Sequence, residues 1–222
     1  MKKILSVVVL LVISVATYAQ KDVTKFLGIP VDGYKTEMIQ KLKAKGFTVH
    51  PLDNNVLQGE FNGTDVNLHI GTNNNRVYRI MLCDKMCLNE ADIKIRFNRL
   101  CEQFESNSNY VAVKDYTIPD DEEISYEMLV NNKRYEATFY QSPDTSIISK
   151  DLNCLISQKY TQEELDNPTE EIESEIKYML LHYYLDLLDK KTVWFMISEI
   201  RGEFYITMFY DNKYNQANGE DL

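Results

Sequence analysis

Apolar and polar residues alternate on both sides of Asn62-Gly63, a dipeptide most typical of a two-residue hairpin turn. Pairing outward from this turn places the apolar side chains of both strands on one face, and Ile70 continues the series. The predicted pairs are Phe61 with Thr64, Gly59 with Val66, and Leu57 with Leu68. Further strands are predicted over 47–50 and 76–83.

Two more hairpins are predicted from the same alternation, one turning at Asn131-Asn132 and the other at Arg201-Gly202. The predicted pairs of the first are Met128 with Tyr135, Tyr126 with Ala137, and Ile124 with Phe139. Those of the second are Val193 with Tyr210, Phe195 with Met208, and Ile197 with Ile206. In both hairpins the apolar members share one face, which a packed sheet would bury.

Three segments have the period of an amphipathic helix. The first spans 34–45, and the second spans 90–105 after the N-cap residue Asn89. The third opens at Asn167-Pro168 and ends at Lys190-Lys191. The apolar stripe of the second helix consists of Ile93, Phe97, Leu100, Cys101 and Phe104. The apolar stripe of the third consists of Ile172, Ile176, Met179, Tyr183 and Leu187.

The order of elements is helix then hairpin, three times over, which indicates an α+β fold. We expect an antiparallel β-sheet built of hairpins with helices packed on one face, a two-layer sandwich. Residues 20–211 then form a single α+β domain, in which 142–167 is a connection with one short helical turn. A division into two small domains near 142–167 is the alternative, and 212–222 is expected to be a flexible tail.

The N-terminus has the pattern of a signal peptide over 1–19. Lys2-Lys3 supplies the positive charge, and the apolar run 4–16 is shorter than the roughly 20 residues that span a bilayer. Thr17-Tyr18-Ala19 places small residues before a cleavage site that would leave Gln20 first. The chain is therefore expected to be exported, periplasmic or secreted, with no membrane span after signal removal.

The residues Phe26–Gly33 (FLGIPVDG), followed by Met38-Ile39 and Leu42–Phe47 (LKAKGF), resemble the start of an uncharacterised family of secreted bacterial proteins. This resemblance implies export and no established reaction. The helix-then-strands order is more loosely similar to the architecture of beta-lactamase inhibitor protein. That likeness concerns the fold alone and implies neither a function nor a site residue.

Of the 222 residues, 34 are Asp or Glu and 24 are Lys or Arg, so the formal net charge is −10. This balance argues against nucleic acid as a partner, because phosphate binding requires clustered Lys and Arg. The sequence contains no nucleophile elbow, phosphate-binding loop or dinucleotide-binding fingerprint. We therefore assign no catalytic residue, no metal ligand and no cofactor.

Four cysteines, an even number in a chain predicted to be exported, favour disulfide bonds. Cys87 precedes the second helix and Cys101 lies within it, which separates them by roughly 15–20 Å, beyond the ~7 Å limit for a bridge. By elimination we predict the bridges Cys83–Cys87 and Cys101–Cys154. The alternative is that Cys101, which lies on the apolar stripe, is a reduced core residue.

Acidic residues cluster in the run 120–123 and across 163–175. The run lacks the spacing of a calcium loop, and the second cluster lies near helix starts, where acids are favoured by the helix dipole. We interpret both as solvated charge. A secreted hydrolase with dispersed carboxylates is an alternative function, because two carboxylates suffice for glycoside hydrolysis.

The last predicted hairpin is apolar on both faces, as is typical of strands covered on both faces or lying at an interface. We predict that Trp194, Met196, Tyr205 and Phe209, on its second face, are binding residues. The interpretation is an exported, non-enzymatic binding module for a protein, peptide or glycan of the cell envelope. A self-associating envelope protein, homo-oligomeric through this hairpin, is a further alternative.

Overall fold

The computed structural model describes residues 21–217 and Gly219, so the predicted signal peptide lies outside the described residues. The described chain forms the helices α1 (Lys35–Ala44), α2 (Glu90–Glu105), α3 (Ile124–Val130), α4 (Thr145–Lys159), α5 (Gln162–Asp166) and α6 (Glu170–Asp189). Its strands are β1 (Lys25–Phe26), β2 (Ile29–Pro30), β3 (Thr48–His50), β4 (Asp53–Phe61), β5 (Thr64–Asn73), β6 (Arg76–Asp84), β7 (Tyr110–Ala112), β8 (Glu136–Gln141), β9 (Thr192–Ile200) and β10 (Glu203–Asp211). A short 3₁₀ turn follows at Lys213–Asn215.

Eight strands form one antiparallel sheet in the order β3-β4-β5-β6-β10-β9-β8-β7, while β1 pairs only with β2. The central contact joins β6 to β10, which are far apart in sequence, with Tyr210 opposite Ile80 and Met208 opposite Leu82. The predicted α+β class with a large antiparallel sheet is therefore confirmed.

Two of the three predicted hairpins form with the predicted register. At the first, Phe61 lies opposite Thr64 and Leu57 opposite Leu68. At the last, all three predicted pairs are present, between Val193 and Tyr210, Phe195 and Met208, and Ile197 and Ile206. Both turns place two residues at positive φ, 51° and 72° for Asn62-Gly63 and 55° and 81° for Arg201-Gly202, as a hairpin turn of this length requires.

The hairpin predicted at Asn131-Asn132 is wrong, because Ile124–Val130 forms the helix α3 instead of a strand. Ile124 and Met128 are four residues apart and also follow an alternating pattern, so the short segment fits either period. Asn132, with φ of 50°, follows the helix end in the left-handed conformation that Asn tolerates. The partners of β8 are instead β7 and β9.

The segment 142–167 is more regular than predicted, since it contains α4 and α5. Asp144 caps α4 by accepting a hydrogen bond from the backbone amide of Ser146. Thr161 and Glu164 form a reciprocal capping box at the start of α5. The apolar stripe of α4 is weak, and the sequence pattern therefore did not indicate a long helix. The N-cap of α6 is Thr169, two residues after the predicted start.

The helices α1, α2 and α3 cover one face of the sheet with apolar side chains. Their fully buried members are Met38 and Leu42 of α1, Ile93, Phe97 and Cys101 of α2, and Ile124 of α3. Towards the β7 edge of the sheet, Phe104 of α2 stacks on Phe139 of β8, with ring centroids 4.7 Å apart. Burial of such side chains contributes roughly 1.5–3 kcal/mol each, so this interface supplies much of the stability.

The long helix α6 packs on α4 and reaches the sheet at β8 near its C-terminal end. Leu187 and Leu188 are buried there, and the Tyr183 hydroxyl donates to Asp151 of α4 at 2.8 Å. Farther from this end of α6, Tyr178 and Leu181 are 64% and 56% exposed. Over the described ranges, no helix is both long and apolar enough to cross a bilayer.

The segment after the last strand begins with a buried residue. Asn212, the first residue of the predicted tail, donates through its side chain to the Val31 carbonyl at 2.7 Å and accepts from the Tyr214 amide at 3.0 Å. Asn215 donates to the carbonyl of Val77. These hydrogen bonds attach the start of this segment to Val31, just after β2, and to Val77 in β6.

Candidate functional site

A cleft of about 650 Å³ opens on the helix-covered side of the sheet. It lies between the β1–β2 hairpin, the tip of the β4–β5 hairpin, the C-terminal end of α2 and the strands β7 and β8. Its volume falls within the roughly 300–1,000 Å³ of small-molecule sites. We name it the amide cleft, from a lining that includes the amides Asn62, Gln103, Asn107, Asn109 and Gln141 and the aromatic rings Phe61, Phe104, Tyr110 and Tyr210.

The aromatic rings form a rigid apolar wall. Tyr110 contacts Phe104 edge to face, with centroids 4.7 Å apart, and Phe61 meets Tyr210 edge to face at 6.3 Å. Tyr210 is buried, and burial together with the hydrogen-bonded hydroxyl of Tyr110 raises the pKa of Tyr210 well above its usual range. Phe61 and Tyr110 keep part of their surface exposed, so a ligand can reach both rings.

The amides lie along the rim of the cleft. The Asn62 side-chain nitrogen donates to Gln103 Oε1 at 2.8 Å, which joins the tip of the β4–β5 hairpin to α2. Asn107 Oδ1 accepts from the backbone and side-chain nitrogens of Asn109, both at 3.0 Å. Each amide has a donor and an acceptor, and these contacts use only part of that capacity.

Gln141 fixes the β1 strand beside the sheet. Its Oε1 accepts from the Lys25 backbone amide at 2.7 Å, and its Nε2 donates to the Lys25 carbonyl at 2.7 Å. The same Nε2 lies 3.2 Å from the Tyr110 hydroxyl. One side chain therefore holds two walls of the cleft in place.

Positive but not negative side chains line the cleft. Lys191 is buried and donates to Asp22 at 2.7 Å, so its charge is neutralised within the protein. Lys25 is exposed, and among the described residues its ammonium group has no ion pair. No Asp, Glu, His or Cys is found among the described residues that line the cleft. The polar part of the described lining therefore consists of amides, hydroxyls and ammonium groups.

The four predicted binding residues lie on the second face of the sheet, which we name the aromatic face. Trp194 stacks on its cross-strand partner Phe209, with centroids 4.0 Å apart and rings 15° from parallel. Met196 lies two residues along β9 on the same face, and Tyr205 lies farther away, opposite Ser198. The structure thus brings Trp194 and Phe209 together and places Tyr205 apart from them.

The polar groups around Trp194 are satisfied within the protein. Asp211 accepts two hydrogen bonds from Arg79, at 2.6 and 2.7 Å, and one from Trp194 Nε1 at 2.9 Å. The Arg79 guanidinium lies 4.9 Å from the Phe209 ring centroid, a cation–π contact. The hydrogen bond to Asp211 raises the pKa of Arg79. Phe209 itself is buried, so this cluster stabilises the sheet, while Trp194, Met196 and Tyr205 remain partly exposed.

The predicted disulfide bonds are wrong, since Cys83, Cys87, Cys101 and Cys154 are all free thiols. Cys101 points into the core from α2, whereas Cys154 is exposed on α4, which packs against α6 instead of α2. Cys83 faces away from the helices, opposite Thr207, while Cys87 lies in the connection to α2. The structure instead agrees with the alternative interpretation, in which Cys101 is a reduced core residue. Burial raises the pKa of the Cys101 thiol to about 12.

Sequence reasoning missed the amide cleft, because its lining comes from segments scattered between Lys25 and Tyr210. The available signal was a surplus of amides in short connections, such as 107–109 after the second predicted helix. No local sequence pattern indicates that residues 107–109 lie close in space to Asn62 or Gln141.

No family model matches the chain, and no curated protein or solved structure shows significant similarity to it.

Proposed function

We propose that this chain is an exported, non-enzymatic binding module whose ligand occupies the amide cleft. The observation that carries the proposal is the composition of the cleft, a ring of amides around an aromatic wall with no carboxylate among its described lining residues. Concave sites with a mostly apolar wall and a few convergent polar groups are typical binding sites. Export rests on the signal-peptide pattern over 1–19.

The alternative functions have less support. A hydrolase with paired carboxylates would need acidic side chains at its site, and the described acids lie outside the cleft lining. Self-association through the last hairpin would need accessible apolar surface on the aromatic face. Trp194, Met196 and Tyr205 are only partly exposed there, Phe209 is buried, and the Trp194 indole N–H is already bonded to Asp211.

The test is retention of material from a bacterial cell envelope on the immobilised chain. We expect the double variant Gln103→Ala/Asn109→Ala to lose most retention, because it removes two exposed amides from the rim. The matched control is Gln40→Ala, an exposed amide on α1 outside the cleft. Trp194→Phe, on the aromatic face, is a further variant for comparison. Equal retention by the parent, the double variant and Gln40→Ala would refute the proposal, and so would a loss of retention in Trp194→Phe alone.

A further inference from the structure

We propose that the ligand of the amide cleft is a saccharide. This inference rests on the proposed function, since it names the chemical class that the cleft binds. The argument uses the unused hydrogen-bonding capacity of the amides, the exposed aromatic rings, the charge of the lining and the pairing of the nearby strands.

The rim offers donors and acceptors in alternation. In the described part of the chain, the Gln103 and Asn107 amide nitrogens form no hydrogen bond with the protein, and neither do the Asn62 and Asn109 amide oxygens. Gln103, Asn107 and Asn109 are exposed, so these atoms reach solvent at the mouth of the cleft. A sugar hydroxyl both donates and accepts, and it can therefore bond to either kind of amide atom.

The wall matches the faces of a sugar ring. A pyranose ring has hydroxyls around its edge and C–H groups on its faces, and those C–H groups pack on the negative face of an aromatic ring. Phe61 and Tyr110, the two partly exposed rings of this wall, come from different elements, the β4–β5 hairpin and β7. A saccharide lying against the wall would contact rings with its faces and amides with its edge.

The charge of the lining favours a neutral or acidic ligand over a cationic one. The chain carries a net charge of −10, yet none of its described carboxylates lines the cleft. Lys25 supplies an exposed ammonium group at the mouth. A carboxylated sugar would gain a favourable contact with Lys25, whereas a basic peptide would be repelled by the same ammonium group.

The strands beside the cleft favour a saccharide over an extended peptide. Peptides that add to a sheet need an unpaired strand edge for their backbone hydrogen bonds. The sheet edge here, β7, is three residues long, and the Tyr110 amide already donates to the Asn107 carbonyl. The backbone of Lys25 is likewise bonded to Gln141. Side-chain amides, not backbone groups, are what the cleft offers.

The experiment probes the purified chain with an array of defined neutral and carboxylated oligosaccharides, and in parallel with a library of short peptides. We expect saccharides to bind, and Gln103→Ala/Asn109→Ala to weaken the strongest of them about tenfold, as two lost hydrogen bonds would. Lys25→Gln should weaken carboxylated saccharides and leave neutral ones unchanged. Gln40→Ala is the control for folding and for non-specific contacts.

The outcomes separate this inference from the proposed function. Binding of peptides but of no saccharide, with loss in Gln103→Ala/Asn109→Ala, overturns the saccharide and leaves the cleft as the binding site. Saccharide binding that the double variant weakens no more than Gln40→Ala overturns the cleft itself. Binding of neither library also overturns the inference, provided that circular dichroism shows the chain to be folded.

Discussion

Gln141 binds the backbone of Lys25 as a neighbouring strand would, with its side-chain oxygen accepting from the Lys25 amide and its nitrogen donating to the Lys25 carbonyl. The β1 strand has no backbone partner in the large sheet, since it pairs only with β2. This side chain therefore helps to position the β1–β2 hairpin beside the amide cleft, together with the buried Phe26 ring and the hydrogen bond from Asn212 to Val31.

Replacing Gln141 with Glu tests this role. The substitution keeps an acceptor for the Lys25 amide but places a carboxylate oxygen opposite the Lys25 carbonyl, where a donor is needed. We expect the free energy of unfolding to fall by about 1–2 kcal/mol, measured in urea. The control Gln40→Glu should change it by less than about 0.5 kcal/mol, because Gln40 is an exposed helical residue. Equal free energies of unfolding for the parent and Gln141→Glu would show that the two hydrogen bonds do not stabilise the fold.

The ion pair on the aromatic face gives a second prediction. Asp211→Asn should destabilise the protein by about 2 kcal/mol, less than the roughly 3–5 kcal/mol of a fully buried pair, because the Arg79 side chain is 29% exposed. Asp186→Asn, which alters an exposed ion pair with Lys190, should cost under about 0.5 kcal/mol. Fluorescence of Trp194, the single tryptophan, should change in the Asp211 variant alone. Identical spectra would contradict the contact with its indole.

The free thiols predict an order of chemical reactivity. Under native conditions an alkylating reagent should modify Cys154 first, because it is exposed, and Cys101 only after unfolding, because it is buried and its pKa is raised to about 12. Mass spectrometry of protein that is unfolded without reductant should find all four thiols modified. A mass that lacks two or four of the modifications would mean that one or two disulfide bonds are present, as the sequence predicts.

The buried Cys101 thiol also predicts a loss of stability at alkaline pH. Its pKa is about 12 in the folded protein and near 9.0 in the unfolded chain, so the unfolded chain releases its proton first. Stability should therefore decline as the pH rises from 9.0 towards 12, by up to about 1.4 kcal/mol per pH unit from this group. Because Cys101→Ala lacks this thiol, the difference in the free energy of unfolding between the variant and the parent should become smaller above pH 9. A difference in the free energy of unfolding that stays constant between pH 8 and 11 would contradict this prediction. Cys154→Ala, which removes an exposed thiol, is the control.

The parts of the fold that local physics determines were predictable. At Asn62-Gly63 and Arg201-Gly202, a turn and an alternating pattern agree, so only one register buries the apolar residues. The apolar stripe from Ile93 to Phe104 is long enough that only the period of a helix fits it. The segment Ile124–Val130 is too short for that, and its pattern fits a strand as well as a helix.

The amide cleft depends on contacts that no local pattern contains. Asn62 meets Gln103 across 41 positions of sequence, and Lys25 meets Gln141 across 116. Trp194 was predicted as a binding residue from its place on a strand. In the structure the Phe209 ring stacks on Trp194 within the hairpin, and the Arg79 contact depends on the pairing of β6 with β10, which no local pattern indicates.

Hydrogen–deuterium exchange tests most directly whether the amide cleft is the ligand site. The chain is compared alone and with the saccharide that it binds most strongly on the array. We predict slower exchange at 61–62 and 103–110, which line the cleft, and no change at 194–196 or 207–209 on the aromatic face. Slower exchange on the aromatic face with an unchanged cleft would contradict the account.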